Sequence, residues 1–255
     1  MKFHRDVFHL LGRQWRLTLR MPLFLVFSIV QPIIWMVLFS QLFSKVTALQ
    51  GFGASSYVQF LAPGIAVMSA LFGSGYAGMG LLQDIDRGVM DRMLATPVAR
   101  FAIIIARVIH TGMTAMIQGT LILVVAFVLG ARPAGVGSFL AVLAAAGLLG
   151  SGMSGVSYCM AILTRRPETM FAVMNFTMLP MIYLSSAIMS KALMPNWIRQ
   201  ISRFNPVDWA TTIARNGFEG KEWAAVGLHL AALACFTLFF SMLATLAFRR
   251  YRATM

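Results

Sequence analysis

Six unbroken apolar runs constrain this chain more than anything else in it. They cover Pro22 to Phe43, Tyr57 to Leu82, Phe101 to Gly130, Ser138 to Leu163, Thr169 to Ser190 and Trp223 to Phe248. Each reaches the ~20 residues that a bilayer core about 30 Å thick requires of a helix. That core holds no water, so a spanning segment must satisfy its own backbone polar groups, either as a helix or as a strand of a closed barrel. Barrel strands would read as ~10-residue segments of alternating character. These runs, rich in Leu, Ala and Met, do not alternate. The expected fold is all-α, with six transmembrane helices in one domain covering residues 1–255 and both ends of the chain on the same side. Composition agrees: 11% of the residues are charged and 59% hydrophobic, whereas a soluble domain is about 25% charged.

Basic residues set the orientation. Thirteen of the 21 fall on one side: Lys2, Arg5, Arg13, Arg16, Arg20, Arg87, Arg92, Arg100, Arg165, Arg166, Arg249, Arg250 and Arg252. The other side holds Lys45, Arg132 and five in the long 191–222 connection, and long connections weigh little in the positive-inside rule. Both termini and the 83–100 segment are therefore expected to be cytoplasmic. Topology of this kind accounts for the formal charge of +13, so no nucleic-acid partner is expected. A polar segment precedes the first run and no small-residue cleavage site follows its apolar core, so that run is expected to stay in the mature protein.

Between the runs lie three amphipathic stretches. In residues 1–21, Lys2, Arg5, His9, Arg13, Arg16 and Arg20 share one helical face, opposite Phe3, Val7, Leu10, Leu11 and Trp15. This predicts an interface helix on the inner membrane surface that anchors to anionic lipid, docks a cytosolic partner, or does both. The charged island at 83–100 predicts a short helix, with Ile85, Val89 and Met93 inward and Asp84, Arg87 and Asp91 outward. Asp84 suits its start, and Thr96-Pro97 its end. The 191–222 connection is too apolar for a free loop and predicts two short helices folded back on the membrane, with a turn at Ser202 to Pro206.

The third run is longer than a bilayer needs, which puts Arg107 near the inner interface. There it either snorkels, ties the island down or transmits motion. Glycines in the second and fourth runs allow close helix packing, or helices that slide past one another. Gln118, Asn175, Tyr76 and Tyr183 either line a passage or bond between helices. The Gln31-Pro32 pair should kink the first span. Cys159 and Cys235 lie inside runs, and neither a disulfide nor a metal site is implied.

What is missing narrows the function. All eight acidic residues lie outside the runs or at their edges, whereas carriers driven by protons or sodium place carboxylates near the midplane. No catalytic motif and no phosphate-binding loop is present. If nucleotide energy drives this protein, another chain must bind it. A stand-alone channel or secondary carrier, or a membrane assembly factor, remains the alternative.

The run Asp86-Arg87-Gly88-Val89-Met90-Asp91-Arg92-Met93-Leu94-Ala95-Thr96-Pro97-Val98-Ala99-Arg100, with Arg107 and Gln118 beyond it, resembles the signature of ABC type-2 permeases, in particular the drug-export branch of daunorubicin-resistance permeases. The segment from Pro195-Asn196-Trp197-Ile198 through Asn205-Pro206 to Arg215 is similar to that family's external helices. One departure is Ala106, where the family often has glycine before the arginine. The resemblance implies a type V exporter-like permease of the bacterial inner membrane that moves an amphiphilic drug, lipid or lipid-linked glycan outward. It implies two copies of a separate ABC ATPase, which hold ATP and Mg, and a second permease, identical or homologous. The island would be the coupling helix, touching the ATPase through Asp84, Asp86, Arg87, Asp91 and Arg92. The interface helix would contribute Arg5, Arg13 and Arg16, and Arg107 would transmit motion. The second and fifth spans would face the substrate path with Met68, Phe72, Tyr76, Phe176 and Tyr183.

Overall fold

The computed structural model describes residues 2–43, 56–95 and 99–252. Thr96 and Pro97, read as the stop of the island, lie outside them. All regular structure among the described residues is helical: α1 Lys2–Leu19, α2 Pro22–Leu42, α3 Tyr57–Gly75, α4 Ala77–Asp86, α5 Val89–Leu94, α6 Arg100–Val128, α7 Val136–Thr164, α8 Pro167–Tyr183, a 3-10 turn Lys191–Leu193, α9 Asn196–Ser202, α10 Pro206–Glu219 and α11 Trp223–Arg252.

Four stretches among the described residues are long and apolar enough to cross a membrane: Tyr57–Asp86, Phe101–Val128, Val136–Thr164 and Trp223–Phe248. They carry the second, third, fourth and sixth runs. The first run gives α2, whose stretch Val26–Leu42 is a shorter apolar helix and which continues through Pro32. The fifth run gives α8, which stops at Tyr183 after 17 residues, about 26 Å at 1.5 Å per residue. It was expected to continue to Ser190. The cause is competition for its last carbonyls. Asn205 Nδ2 donates to Met181 O at 2.6 Å and to Leu184 O at 3.1 Å. The Ser186 N–H is taken by Asp208 Oδ1 at 2.9 Å.

Helix α7 is the hub, packed against α3, α6, α10 and α11. It is apolar all round, as suits a helix that packs on several neighbours and turns its remaining surface to lipid. Its small residues let neighbours come close: Gly147 and Gly150 face Met116 and Ala115 of α6, while Gly152 and Gly155 face Phe236 and Phe240 of α11. Dispersion and close approach, rather than water exclusion, hold such helices together in lipid. Helix α8 presents Met170, Met174, Met178 and Ile182 to the core at four-residue spacing. Helix α10 is deeply buried, with Val207, Ala210, Ile213, Ala214 and Phe218 turned inward.

Candidate functional site

Three features meet along α3 and α4: a charge clasp at one end, a hinge in the middle and a cavity beside it. The clasp centres on Asp84. Its carboxylate accepts from both terminal nitrogens of Arg13, at 3.3 and 3.2 Å, and pairs at short range with Arg107. Arg107 is only 4% exposed. Such a cation is tolerable away from water only when paired. One carboxylate thereby joins α1, α4 and α6. Asp84 lies inside α4 rather than at the start of a helix.

Helix α1 is fixed along α6 by further contacts. Asp6 Oδ2 accepts from the Ala99 N–H at 3.2 Å, Thr18 Oγ1 lies 3.0 Å from His110 Nε2, and the Trp15 and His110 rings meet edge-on at 4.8 Å. Arg5 and Arg16 remain exposed, and Arg16 Nε donates only to Gly12 O. Of the three basic residues singled out on this helix, Arg13 alone joins the clasp.

The island is two helical pieces rather than one. Helix α4 ends at Asp86, Gly88 takes a left-handed conformation with φ 63, and α5 follows with six residues. Glycine adopts that conformation without a Cβ penalty. Met90 is buried, and Ile85 and Met93 pack against the core, while Asp86, Arg87, Asp91 and Arg92 are all exposed. Of the expected inward face, Ile85 and Met93 pack against the core while Val89 is only half-buried; four of the five charged candidates face outward. The fifth, Asp84, is spent on the two arginines.

The hinge separates α3 from α4 at Tyr76. Ser157 of α7, fully buried, donates its hydroxyl to Gly75 O at 2.6 Å and accepts from Gly78 N at 2.9 Å. A side chain inserted into the helical ladder in this way replaces a backbone bond and bends the rod. Nothing in the sequence singled out Ser157, because its role depends on partners 82 and 79 residues away.

Beside the hinge lies a cavity of about 480 Å³ walled by α2, α3, α6 and α8. Met68, Phe72 and Tyr76 line it, as does Phe171, whose ring stacks on Tyr76 at 5.2 Å. The Gln118 Nε2 amide donates to Ser28 Oγ at 3.1 Å on its wall. Phe176 and Tyr183 do not line it; they stand on the outer face of α8, 82% and 69% exposed. The structure thus brings three of the five path candidates to one cavity.

At the far end of α3 is a second buried charge cluster that the sequence reading missed. Asp208, 2% exposed, accepts from Ser186 N at 2.9 Å and pairs with Lys191 Nζ at 2.7 Å. Arg215 donates to Ser186 O at 2.9 Å and lies 3.8 Å over the Phe60 ring. Burial pulls the Arg215 guanidinium down to about 10, against the pull of Glu219 and Asp208, so it stays charged at neutral pH. The one clue in the sequence was an acid in the first turn after Asn205-Pro206, where a helix N-terminus favours negative charge. Asp208→Ala would orphan the Ser186 N–H and release Lys191. It is expected to cost about 1–3 kcal/mol, read as a lower thermal midpoint and faster proteolysis of the 191–219 connection.

Comparison with known proteins fits this arrangement. Residues 5–219 match the family model described as ABC-2 type transporter. The chain is 28% identical to the "Putative transport permease ycf38" of Cyanophora paradoxa over 87% of its own length and 77% of that protein's. It is 26% identical to the "Daunorubicin resistance ABC transporter permease protein DrrB1" of Streptomyces coeruleorubidus, over 91% and 80% of the two chains. "Nodulation protein J" of Rhizobium leguminosarum bv. viciae is 27% identical over 76% and 75%. The match spans α1, the clasp, the island and the 191–219 cluster, and with four helices among the described residues long and apolar enough to cross a membrane it establishes a multi-pass membrane protein of the ABC-2 type transporter family.

Proposed function

We propose that this chain is the permease subunit of an ATP-driven exporter that moves an amphiphilic drug, lipid or lipid-linked glycan out of the cytoplasm or inner leaflet. The observation that carries the proposal is α5: a six-residue helix with exposed Asp91 and Arg92, joined at Gly88 to α4, which Asp84 ties to α1 and α6. A partner pushing on α5 moves α4, and α4 can tilt about the Ser157 hinge beside the cavity. Asp86, Arg87, Asp91 and Arg92 are the proposed ATPase contacts, with Asp84 and Arg107 positioning them. Helix α1 flanks that surface with Arg5 and Arg16.

Under this reading α2 and α8 complete six spans, the termini and the island are cytoplasmic, and the membrane is the bacterial inner membrane. Two permeases, identical or homologous, work with two ATPases that hold ATP and Mg. The exposed apolar face of α8, with Phe176 and Tyr183, supports a path shared with the second permease. Asp91→Arg with Arg92→Asp is expected to weaken ATPase binding on the order of tenfold, measured by titration of the purified subunits. Transport in vesicles that contain no ATPase would refute the reading.

A further inference from the structure

We infer that the cavity beside the hinge selects an uncharged amphiphile: an apolar or aromatic body with a neutral amide or hydroxyl head that hydrogen-bonds the Gln31 side chain. This deepens the exporter reading by naming the class of its substrate, and it rests on that reading only for the outward direction of movement.

The cavity's size, about 480 Å³, lies within the roughly 300–1,000 Å³ typical of small-molecule sites. Its walls are aromatic and apolar, and none of its described lining residues carries a charge. A permanent cation entering it would lose its hydration and find no carboxylate, and cation–π contact with the aromatic walls would have to offset that cost alone, whereas an uncharged head avoids it. What the walls do offer is polar but neutral: the Ser28, Ser69 and Tyr76 hydroxyls and the Gln31 and Gln118 amides.

These groups are not equivalent. Gln118 is 7% exposed and holds Ser28. Gln31 is exposed at the cavity and has no hydrogen-bond partner among the described residues. It sits on α2 within the apolar stretch Val26–Leu42, where lipid tails can satisfy neither its N–H nor its C=O. An amide left open toward an apolar cavity is a site for a head group with both a donor and an acceptor. Phe27, Gln31 and Phe171 are exposed as well as lining, so the cavity reaches the surface along α2 and α8. A ligand dissolved in the bilayer can enter from the side.

Trp35 also lines the cavity and supplies a reporter. Permease without any ATPase is placed in phosphatidylcholine nanodiscs and titrated with 12-bromododecanamide, or with 12-bromododecyl-trimethylammonium, whose bromine quenches tryptophan on contact. The same titration on Trp35→Phe gives the signal of the other tryptophans, which is subtracted. The amide is expected to quench the Trp35 signal saturably, at a bilayer mole fraction at least tenfold below that needed by the ammonium. Gln31→Leu should weaken the amide about fivefold or more and leave the ammonium unchanged, and Gln31→Glu should favour the ammonium. Equal quenching by the two probes, linear quenching that marks a cavity filled by bilayer lipid, or indifference to both Gln31 variants would each overturn the inference. Because no ATPase is present, these outcomes are independent of the vesicle experiment: transport without ATPase would remove the exporter reading and leave the binding preference standing.

Discussion

Asp84→Ala is expected to destabilise the protein more than any other single change of a charged residue. Its carboxylate is the acceptor for both Arg13 and Arg107. The Arg107 side chain is 5% exposed and that of Arg13 27%. Removing one partner of a buried pair costs about 3–5 kcal/mol, because the other charge is left without water or a counter-ion. Arg13 can turn outward, but Arg107 cannot, so most of the loss falls on α6. Asp86→Ala, two residues on and exposed, is the matched control and should change stability by about 0.5 kcal/mol or less. Asp84→Ala combined with Arg107→Met should recover much of the thermal midpoint, since a well-packed apolar side chain replaces a buried charge. Equal midpoints for Asp84→Ala and Asp86→Ala would show that the clasp contributes nothing. Because α4 would also lose its tie to α1 and α6, under the proposed function the rescued double variant is expected to stay folded while stimulating an ATPase partner poorly.

Gly78→Ala should be the most damaging change of a small residue on α4. A Cβ there would come 2.5 Å from Ser157 O and 2.7 Å from Met170 Cε. The methionine end can swing away, but the α7 backbone cannot. Helix α4 would have to withdraw from α7, breaking the two bonds that Ser157 makes at the hinge. Overpacking of this kind costs typically about 1–3 kcal/mol, and under the proposed exporter reading a displaced α4 should also uncouple α5 from the cavity. Gly80, half a turn on, provides the comparison: its nearest neighbour is Arg107 Nη1 at 4.0 Å, and Gly80→Ala should be neutral or slightly stabilising by helix propensity. Thermal midpoints of the two variants in one detergent test the contrast. A Gly78→Ala protein as stable as Gly80→Ala would remove the close approach of α4 to α7.

Different parts of the site were legible to different degrees. The inward face of the island could be read because Ile85, Val89 and Met93 recur at helical spacing and Met90 lies beside them. Its outward charges followed from the same periodicity. The interruption at Gly88 was harder to see, since a glycine in a helical pattern is usually tolerated, and only φ 63 marks it as a turn. Arg107 stood out as an arginine inside the third apolar run, but its partner could not be chosen from the three acids of the island. Met68 and Phe72 of α3 and Tyr76 at its C-cap reach the cavity because they lie at four-residue spacing. Phe176 and Tyr183 have similar chemistry on α8 but turn away, because Met170, Met174, Met178 and Ile182 take the inward face of that helix. Gln31 was read only through the proline after it.

The sequence by itself determined the class of this protein and most of the inward faces of its amphipathic segments. Twenty-residue apolar runs have one inexpensive backbone solution in a bilayer, and an amphipathic period names the face that turns inward. Both are local properties of consecutive residues. Only the tertiary structure decided which charges pair, where the helix of the second run breaks and how far α8 extends. Asp84 meets Arg107 across 23 residues and Arg13 across 71, Ser157 reaches Gly75 across 82, and Asn205 and Asp208 unwind the end of α8 from a connection more than twenty residues later. In each case a polar group without water nearby takes the partner that packing brings to it, and packing is a property of the whole chain.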